Sequence, residues 1–535
     1  MKKGVHFLDT TSPVVRTETI KIALALAVQR NLIPYIGDVP KAFYGEPVDV
    51  KGVYVVCPPG YPLQPNGELR PLHLPKLYAE VEAMIPGFPQ SSRVFGIKEV
   101  RVLKSMGWKQ AVNDPCLFTF PGKKDIVVFH VDDIIMFAED LERAKLFYGK
   151  TGLANYWPTM VFEEMKSALG ITYKVTYSDN MRTIFASQPE YAETVLQRAN
   201  MQDCSEASTP QPAGLVYSKK DSEDKAEGDS KIMTQSQYLS TIMAISWLAV
   251  NTRFDLKFAH SKLASFVAAP GVVHKKALHH LLRYLKGTIN YGVQFLWKAG
   301  DDMEGVPKMR VYTDSSHHDD RDTSASTICF VVLINGTPVS MLSKLTRGVQ
   351  SCINHDEQEA IGAAVPSPHS AETLVAVNKS QRDAIWVANV LAEMLSVKRE
   401  DMPPIAILID NTGAIKLVLD PVQHSANKHI MHQLAELRER FASGRFCPIK
   451  VATANSLADA GTKQLTTVAA SRLMLAFLAA PIGMRPDIID DFTVRTAEAK
   501  MIEQWRASRS TPVQQPSPAA ALPTPTLGQE GMLDG

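Results

Sequence analysis

An α+β fold with two separate strand-rich regions is predicted by three features of this sequence. Ile126 to Phe137 is an apolar, β-branched run broken by His130, Asp132 and Asp133. That is the pattern of two short buried strands around a tight turn. Far downstream, Met309–Ser315 and Ile405–Asn411 are apolar runs that close on an acid, Asp314 and Asp410. Between these regions, Tyr238 to Leu285 has a helical pattern.

Composition sets the frame. The 535 residues leave room for roughly two to four domains. Hydrophobic residues at 45% and charged residues at 21% are ordinary for a soluble globular chain. A formal net charge of +1 gives no global basic field, so any polyanion must be held by local patches. The 6 cysteines are scattered without a CxxC pair, which argues against a zinc site or disulfide framework and fits a reducing compartment. Met1 to His6 lacks an apolar signal core, and no segment is long and apolar enough to span a membrane. The expectation is an intracellular protein, in a cytoplasmic particle or the nucleus, with no membrane partner.

In chain order, Thr17 to Asn31 reads as a helix, and Ile33 to Asp38 as a short strand ending in an acid. Asp132 and Asp133 fall at the turn of the next strand pair. Burying two anions is costly unless cations neutralise them. Oxygen-rich sites suit Mg²⁺, and two such ions can clamp the attacking and leaving oxygens of a phosphoryl transfer. Asp38 can complete a three-carboxylate set; the alternative for the pair alone is an acidic turn facing water. Ser205 to Ser236 is rich in Ser, Lys, Asp, Glu and Pro and reads as a surface linker. Lys275, Lys276, Arg283 and Lys286, beside His279 and His280, read as a solvated helix face that at best brushes phosphates. From residue 308 strands return, with Ile328 to Asn335 and Pro338 to Ser343 following Asp314. Asp410 precedes a helix from Thr412, and Asp459 opens a late one. Acids converging on one sheet edge make a second hard-cation site. The tail from Ala507 has too few apolar residues to offset its ordering entropy.

Several short motifs occur in a fixed order: Thr11-Ser12-Pro13-Val14-Val15-Arg16, Asp38-Val39 with Ala42-Phe43, Pro58-Pro59-Gly60, Asp114-Pro115-Cys116-Leu117 and Val131-Asp132-Asp133. Leu169-Gly170-Ile171, Ser187-Gln188-Pro189-Glu190-Tyr191, Thr252-Arg253-Phe254-Asp255 and Leu282 to Thr288 continue the series. The series resembles the reverse transcriptase of copia-type LTR retrotransposon Pol polyproteins. Downstream, Asp314, Asp410, Asn427-Lys428-His429 and Leu457-Ala458-Asp459 with Thr462-Lys463 resemble the ribonuclease H that follows it.

The resemblance implies a truncated fingers–palm reverse transcriptase over 1–204, a linker over 205–236 and a helical connection over 237–300. A ribonuclease H-like α/β domain over 301–480 and a largely disordered extension over 481–535 would complete the chain. It implies RNA-directed DNA synthesis at Asp38, Asp132 and Asp133, and hydrolysis of the RNA strand of a hybrid at Asp314, Glu372, Asp410 and Asp459. Two Mg²⁺ ions would serve each site, with Mn²⁺ as a substitute. Phe43 would take the aromatic position that excludes a ribose 2′-hydroxyl; on the residue alone, an ordinary core Phe reads equally well. RNA template, DNA primer, RNA–DNA hybrid and dNTPs are the implied partners, with other Pol or capsid products of the element beside them. Selectivity for the hybrid would rest on 2′-hydroxyl and groove-shape contacts.

Three departures keep alternatives open. His130 stands where the family carries Tyr, the segment around Leu77-Tyr78-Ala79-Glu80 is altered, and the chain begins just short of the basic fingers strand. The fourth hydrolase acid is divided. Counting forward from Asp314 lands on Glu357, and counting back from Ala384-Ile385-Trp386 lands on Thr373, one beyond Glu372. Glu372 is preferred because the helix downstream of it is intact. A catalytically decayed fragment that at most binds nucleic acid, or a chain in which only the hydrolase works, are the competing readings.

Overall fold

Thr17–Arg30 forms helix α1, and every residue from Thr19 to Gln29 in it is buried. Its Ile, Ala and Leu residues wrap all faces, which suits a helix packed on every side. In the computed structural model, which describes residues 9–44, 46–50, 52–57, 78–212, 214–222, 233–316, 319–323, 325–346, 368–419, 431–465, 480 and 492–510, α1 is the central packing element. Asp114 anchors its start, its Oδ2 accepting from the Arg16 backbone N–H at 3.2 Å and the Thr19 hydroxyl at 2.5 Å. This satisfies N-terminal donors that no helical carbonyl can reach. Asn31, at φ +59°, closes the helix in the left-handed conformation.

The first sheet has the order β4-β5-β6-β7-β1-β8. Its strands are β1 (Ile33–Asp38), β4 (Lys109–Gln110), β5 (Leu117–Thr119), β6 (Ile126–His130), β7 (Asp133–Ala138) and β8 (Val161–Glu164). Between β1 and β4 in the chain lie a small hairpin, β2 (Tyr54–Val56) and β3 (Tyr78–Glu80), and the helix Ser91–Ser105. Gly37 lets the Tyr148 ring lie directly on β1, since an added Cβ would meet that ring at 2.4 Å. The Tyr148 hydroxyl donates to the Ile134 carbonyl at 2.9 Å, fixing the two central strands from behind.

A second sheet, β12-β11-β10-β9, comprises β9 (Ser167–Ala168), β10 (Ile171–Tyr177), β11 (Met181–Ser187) and β12 (Gly292–Lys298). β12 lies inside the stretch expected to be helical. Val293, Phe295 and Trp297 are buried while Gln294, Leu296 and Lys298 are less so, a period of two that makes this segment a strand. Before it, the helices Gln235–Asn251, Lys257–Ala264 and Val272–Gly287 form the predicted helical segment. Arg283 there donates to the Ser205 and Glu206 carbonyls, and His280 meets the Thr209 carbonyl, so this basic face holds the linker.

The third sheet, β15-β14-β13-β16-β17, is mixed. β13 (Met309–Ser315), β14 (Thr327–Ile334) and β15 (Thr337–Leu345) run antiparallel, while β16 (Ile405–Ile409) and β17 (Phe446–Lys450) lie parallel to β13. The helix Pro368–Leu395 packs on β13 and β14 and reaches the first sheet. There Trp386 Nε1 donates to the Asn113 carbonyl, Glu393 accepts from the Val112 N–H, and the Arg16 guanidinium lies 4.5 Å over the Trp386 ring.

Residues 481–535 were expected to be largely disordered, yet Phe492–Ser510 is a helix. Val494 and Met501 are buried, and Glu498 meets Arg310 of β13 through two bonds of 2.6 Å. Buried apolar contacts and a bidentate ion pair supply what composition alone did not reveal. Pro58-Pro59-Gly60, Leu77, Glu357, Asn427-Lys428-His429 and the tail from 511 lie outside the described residues. No described helix is long and apolar enough to cross a membrane.

Candidate active sites

β1 and β7 pair so that Asp38 stands opposite Asp133, and β6 returns so that His130 stands opposite Asp133. The turn between β6 and β7 is therefore Val131-Asp132, with Asp133 opening the strand. Val131 sits at φ +60°, a conformation a β-branched residue takes only at an energetic cost, of the kind held at functional turns. Burial, then the charges of Asp132 and Asp38, push the Asp133 carboxyl above its ordinary range. The three sequence-predicted acids thus share one edge of the first sheet. Phe43 packs edge-on against Phe95, with ring centroids 5.9 Å apart.

Beside these acids lies a groove of about 860 Å³ that joins Asp38 and Asp133 to Glu163, Gly170, Gln188 and Tyr191. The Leu169-Gly170-Ile171 and Gln188 to Tyr191 motifs, at the two ends of the β10–β11 hairpin, meet here. Leu169 and Gly170 both have positive φ, as a two-residue type I′ hairpin requires. Four acidic residues line the groove, Asp38, Asp133, Glu163 and Glu190, and among the described residues no Lys or Arg joins them.

Sequence reasoning missed Glu99. It lies on the helix Ser91–Ser105, 1% exposed, and neither carboxylate oxygen has a hydrogen-bond partner. Burial, and then the charge of Asp132, raise its pKa well above the usual 4.5. The signal was present: Glu99 shares a helix face with Phe95, Val102 and Leu103. The acid stays protonated in the folded state while the unfolded chain ionises, so stability falls as pH rises above 4.5. Glu99→Leu is expected to stabilise the protein by about 1–3 kcal/mol at neutral pH, with the gain shrinking toward pH 4. Urea denaturation at several pH values measures it.

The second site is tighter. Carboxylate oxygens of Asp314, Asp410 and Asp459 all lie within 4.8 Å of one another, and among the described residues the first trio forms no such cluster. Asp314 lies in β13, Asp410 follows β16, and Asp459 belongs to the short 3₁₀ helix Leu457–Gly461. Gly461 allows that helix to rest on β14, because an added Cβ would meet Cys329 Sγ at 2.3 Å. The Thr462 hydroxyl donates to Asp314 Oδ2 at 2.5 Å, and Lys463 Nζ lies 2.7 Å from Asp459 Oδ2. The Lys450 ammonium donates to the Asp410 carbonyl. Oδ1 of Asp410 and Oδ1 of Asp459 are buried without partners.

Burial and the neighbouring Asp314 push Asp459 up to about 7, and burial also raises Asp314. Orphaned buried carboxylate oxygens in an all-oxygen donor set fit a hard divalent cation. Because protons compete for Asp459 below about pH 7, Mg²⁺ is expected to raise the melting temperature more at pH 8 than at pH 6, as differential scanning fluorimetry reads.

The side chains of both candidates for the fourth acid, Glu357 and Glu372, lie outside the described residues. Thr373, fully buried, meets the Ser315 hydroxyl at 3.1 Å, beside Asp314. One helical position that meets β13 thus carries a hydroxyl. Glu372 belongs to the helix Pro368–Leu395, but its side chain lies outside the described residues.

Residues 1–213 match a family model described as reverse transcriptase (RNA-dependent DNA polymerase). The chain is 30% identical over 474 residues to the retrovirus-related Pol polyprotein from transposon RE1 of Arabidopsis thaliana, covering 88% of this chain and 29% of that protein. It is 28% identical to that from transposon RE2 of the same plant, again over 88% of this chain and 29% of the relative. The polyprotein from transposon TNT 1-94 of Nicotiana tabacum is 26% identical over 86% of this chain and 32% of itself. The chain therefore spans less than a third of the length of these relatives.

Proposed function

We propose that this chain, a copia-type retrotransposon Pol segment by its kinship, carries out RNA-templated DNA synthesis at Asp38, Asp132 and Asp133 and RNA-strand hydrolysis at Asp314, Asp410 and Asp459. The observation that carries the reading is the pair of carboxylate centres, each on a sheet edge, one of them drawn within 4.8 Å. Divalent ions such as Mg²⁺, when bound, activate the attacking oxygen and stabilise the leaving one. The protein's own part is placement. Asp38 and Asp133 are held in register by backbone pairing, and the strained Val131 turn presents Asp132 beside them. The acidic groove admits a nucleic-acid backbone only once cations neutralise its four carboxylates, so primer binding depends on divalent ions. At the second centre, Thr462 and Lys463 orient Asp314 and Asp459, and RNA is chosen over DNA by its 2′-hydroxyls.

Primer extension on a 5′-labelled RNA template with Mg²⁺, following product DNA and template cleavage together, tests this. Both products are expected. Folded protein that yields neither, yet shifts a hybrid on a gel with steep salt dependence, would support the non-catalytic binding reading. The hydroxyl of Thr373 at a position that meets β13 favours a second reading for the downstream centre, a site that binds hybrid but hydrolyses it slowly. Cleavage without extension would instead mark the hydrolase alone as active.

A further inference from the structure

We propose that Lys463 is a tethered cation of the downstream carboxylate centre. It holds Asp459 in the cluster and must release that carboxylate when a divalent ion binds, so it sets the affinity of the centre for metal. This rests on reading the centre as a metal site.

The geometry points one way. Lys463 follows Asp459 by one helical turn, and its backbone N–H bonds the Asp459 carbonyl at 3.2 Å. This directs its stem along the carboxylate, and Nζ reaches Oδ2 at 2.7 Å. The lysine side chain is 49% exposed where the aspartate side chain is 7% exposed, so the ammonium sits at the mouth, between solvent and the buried acids. Of the six carboxylate oxygens, Asp314 Oδ2 is held by Thr462 and Asp459 Oδ2 by Lys463, while Oδ1 of Asp410 and of Asp459 have no partner. An entering cation thus finds two buried oxygens without partners and a positive charge on a third. Lysine suits this role. Its compact, hydrated charge on a flexible stem can leave for water at little cost, and two cations that share one carboxylate oppose each other.

The test is a Mn²⁺ titration of the full chain, following the electron paramagnetic resonance signal of free ion, for wild type, K463M, K463Q, K463R and D314N. The component lost in D314N belongs to this centre. For that component, K463M and K463Q are expected to bind about tenfold more tightly, an ordinary size for coupling between two ligands, and K463R, whose guanidinium can hold the carboxylate bidentately, to bind no more tightly than wild type. Unchanged or weaker binding in K463M and K463Q, with the D314N-sensitive component intact in wild type, would overturn the proposal and leave Lys463 a structural ion pair. If D314N binds Mn²⁺ as wild type does, the metal-site reading fails and the proposal with it. Half exposure of Lys463 makes all three substitutions compatible with folding, and circular dichroism verifies it.

Discussion

Replacing Asp314 with Asn is expected to remove hydrolysis of the RNA strand while leaving DNA synthesis at the wild-type rate. Asp314 is 3% exposed, and its carboxylate belongs to the cluster within 4.8 Å. The amide keeps the shape and can still accept the Thr462 hydrogen bond, so the change is one of charge. Even residues that only orient metal ligands are worth about 10- to 100-fold. Loss of a direct ligand should exceed about 100-fold. Asp132→Asn should do the reverse, ending primer extension and sparing cleavage. A hybrid assay that reports both products separates the two centres. If both variants behave as wild type, the acids have been misassigned.

Arg253→Met is expected to destabilise the helical segment and its sheet by about 3–5 kcal/mol, the usual cost of removing one partner from a buried ion pair. Arg253 is 1% exposed and Asp255 1%. The guanidinium grips both Asp255 oxygens, at 3.0 and 2.8 Å, and the Thr288 carbonyl at 2.9 Å, while the Tyr284 hydroxyl also donates to Asp255. Removing the arginine strands a buried carboxylate. The double variant R253M/D255L should recover much of the loss, because an apolar pair leaves no orphaned charge. Urea denaturation followed by tryptophan fluorescence measures both. A single variant as stable as wild type would show that solvent reaches Asp255.

Local pattern carried most of the secondary structure. Apolar runs bounded by acids marked β1, β6, β7, β13 and β16, an apolar helix-like stretch marked α1, and a helical pattern marked the helices after residue 234. The strand at Gly292–Lys298 was equally readable from its alternation, and was missed because its partner, β11, lies more than a hundred residues upstream. Glu99 was also readable, as an acid on an apolar helix face. The docked helix at Phe492–Ser510 was not, because its stability comes from Arg310 and β17 rather than from its own composition.

By itself, then, the sequence determined the alternation of strands and helices and the chemistry at the strand ends, since both depend on neighbouring residues and short periods. Only the tertiary structure decided which acids meet. Asp314, Asp410 and Asp459 converge because parallel pairing of β13 with β16 and the close seat of Gly461 on β14 bring them to one edge. The same packing placed Lys463 against Asp459 and turned Thr373 toward Ser315. Spacing along a chain does not encode such distances. They are set by strand register, helix rotation and the side chains that allow two backbones to approach.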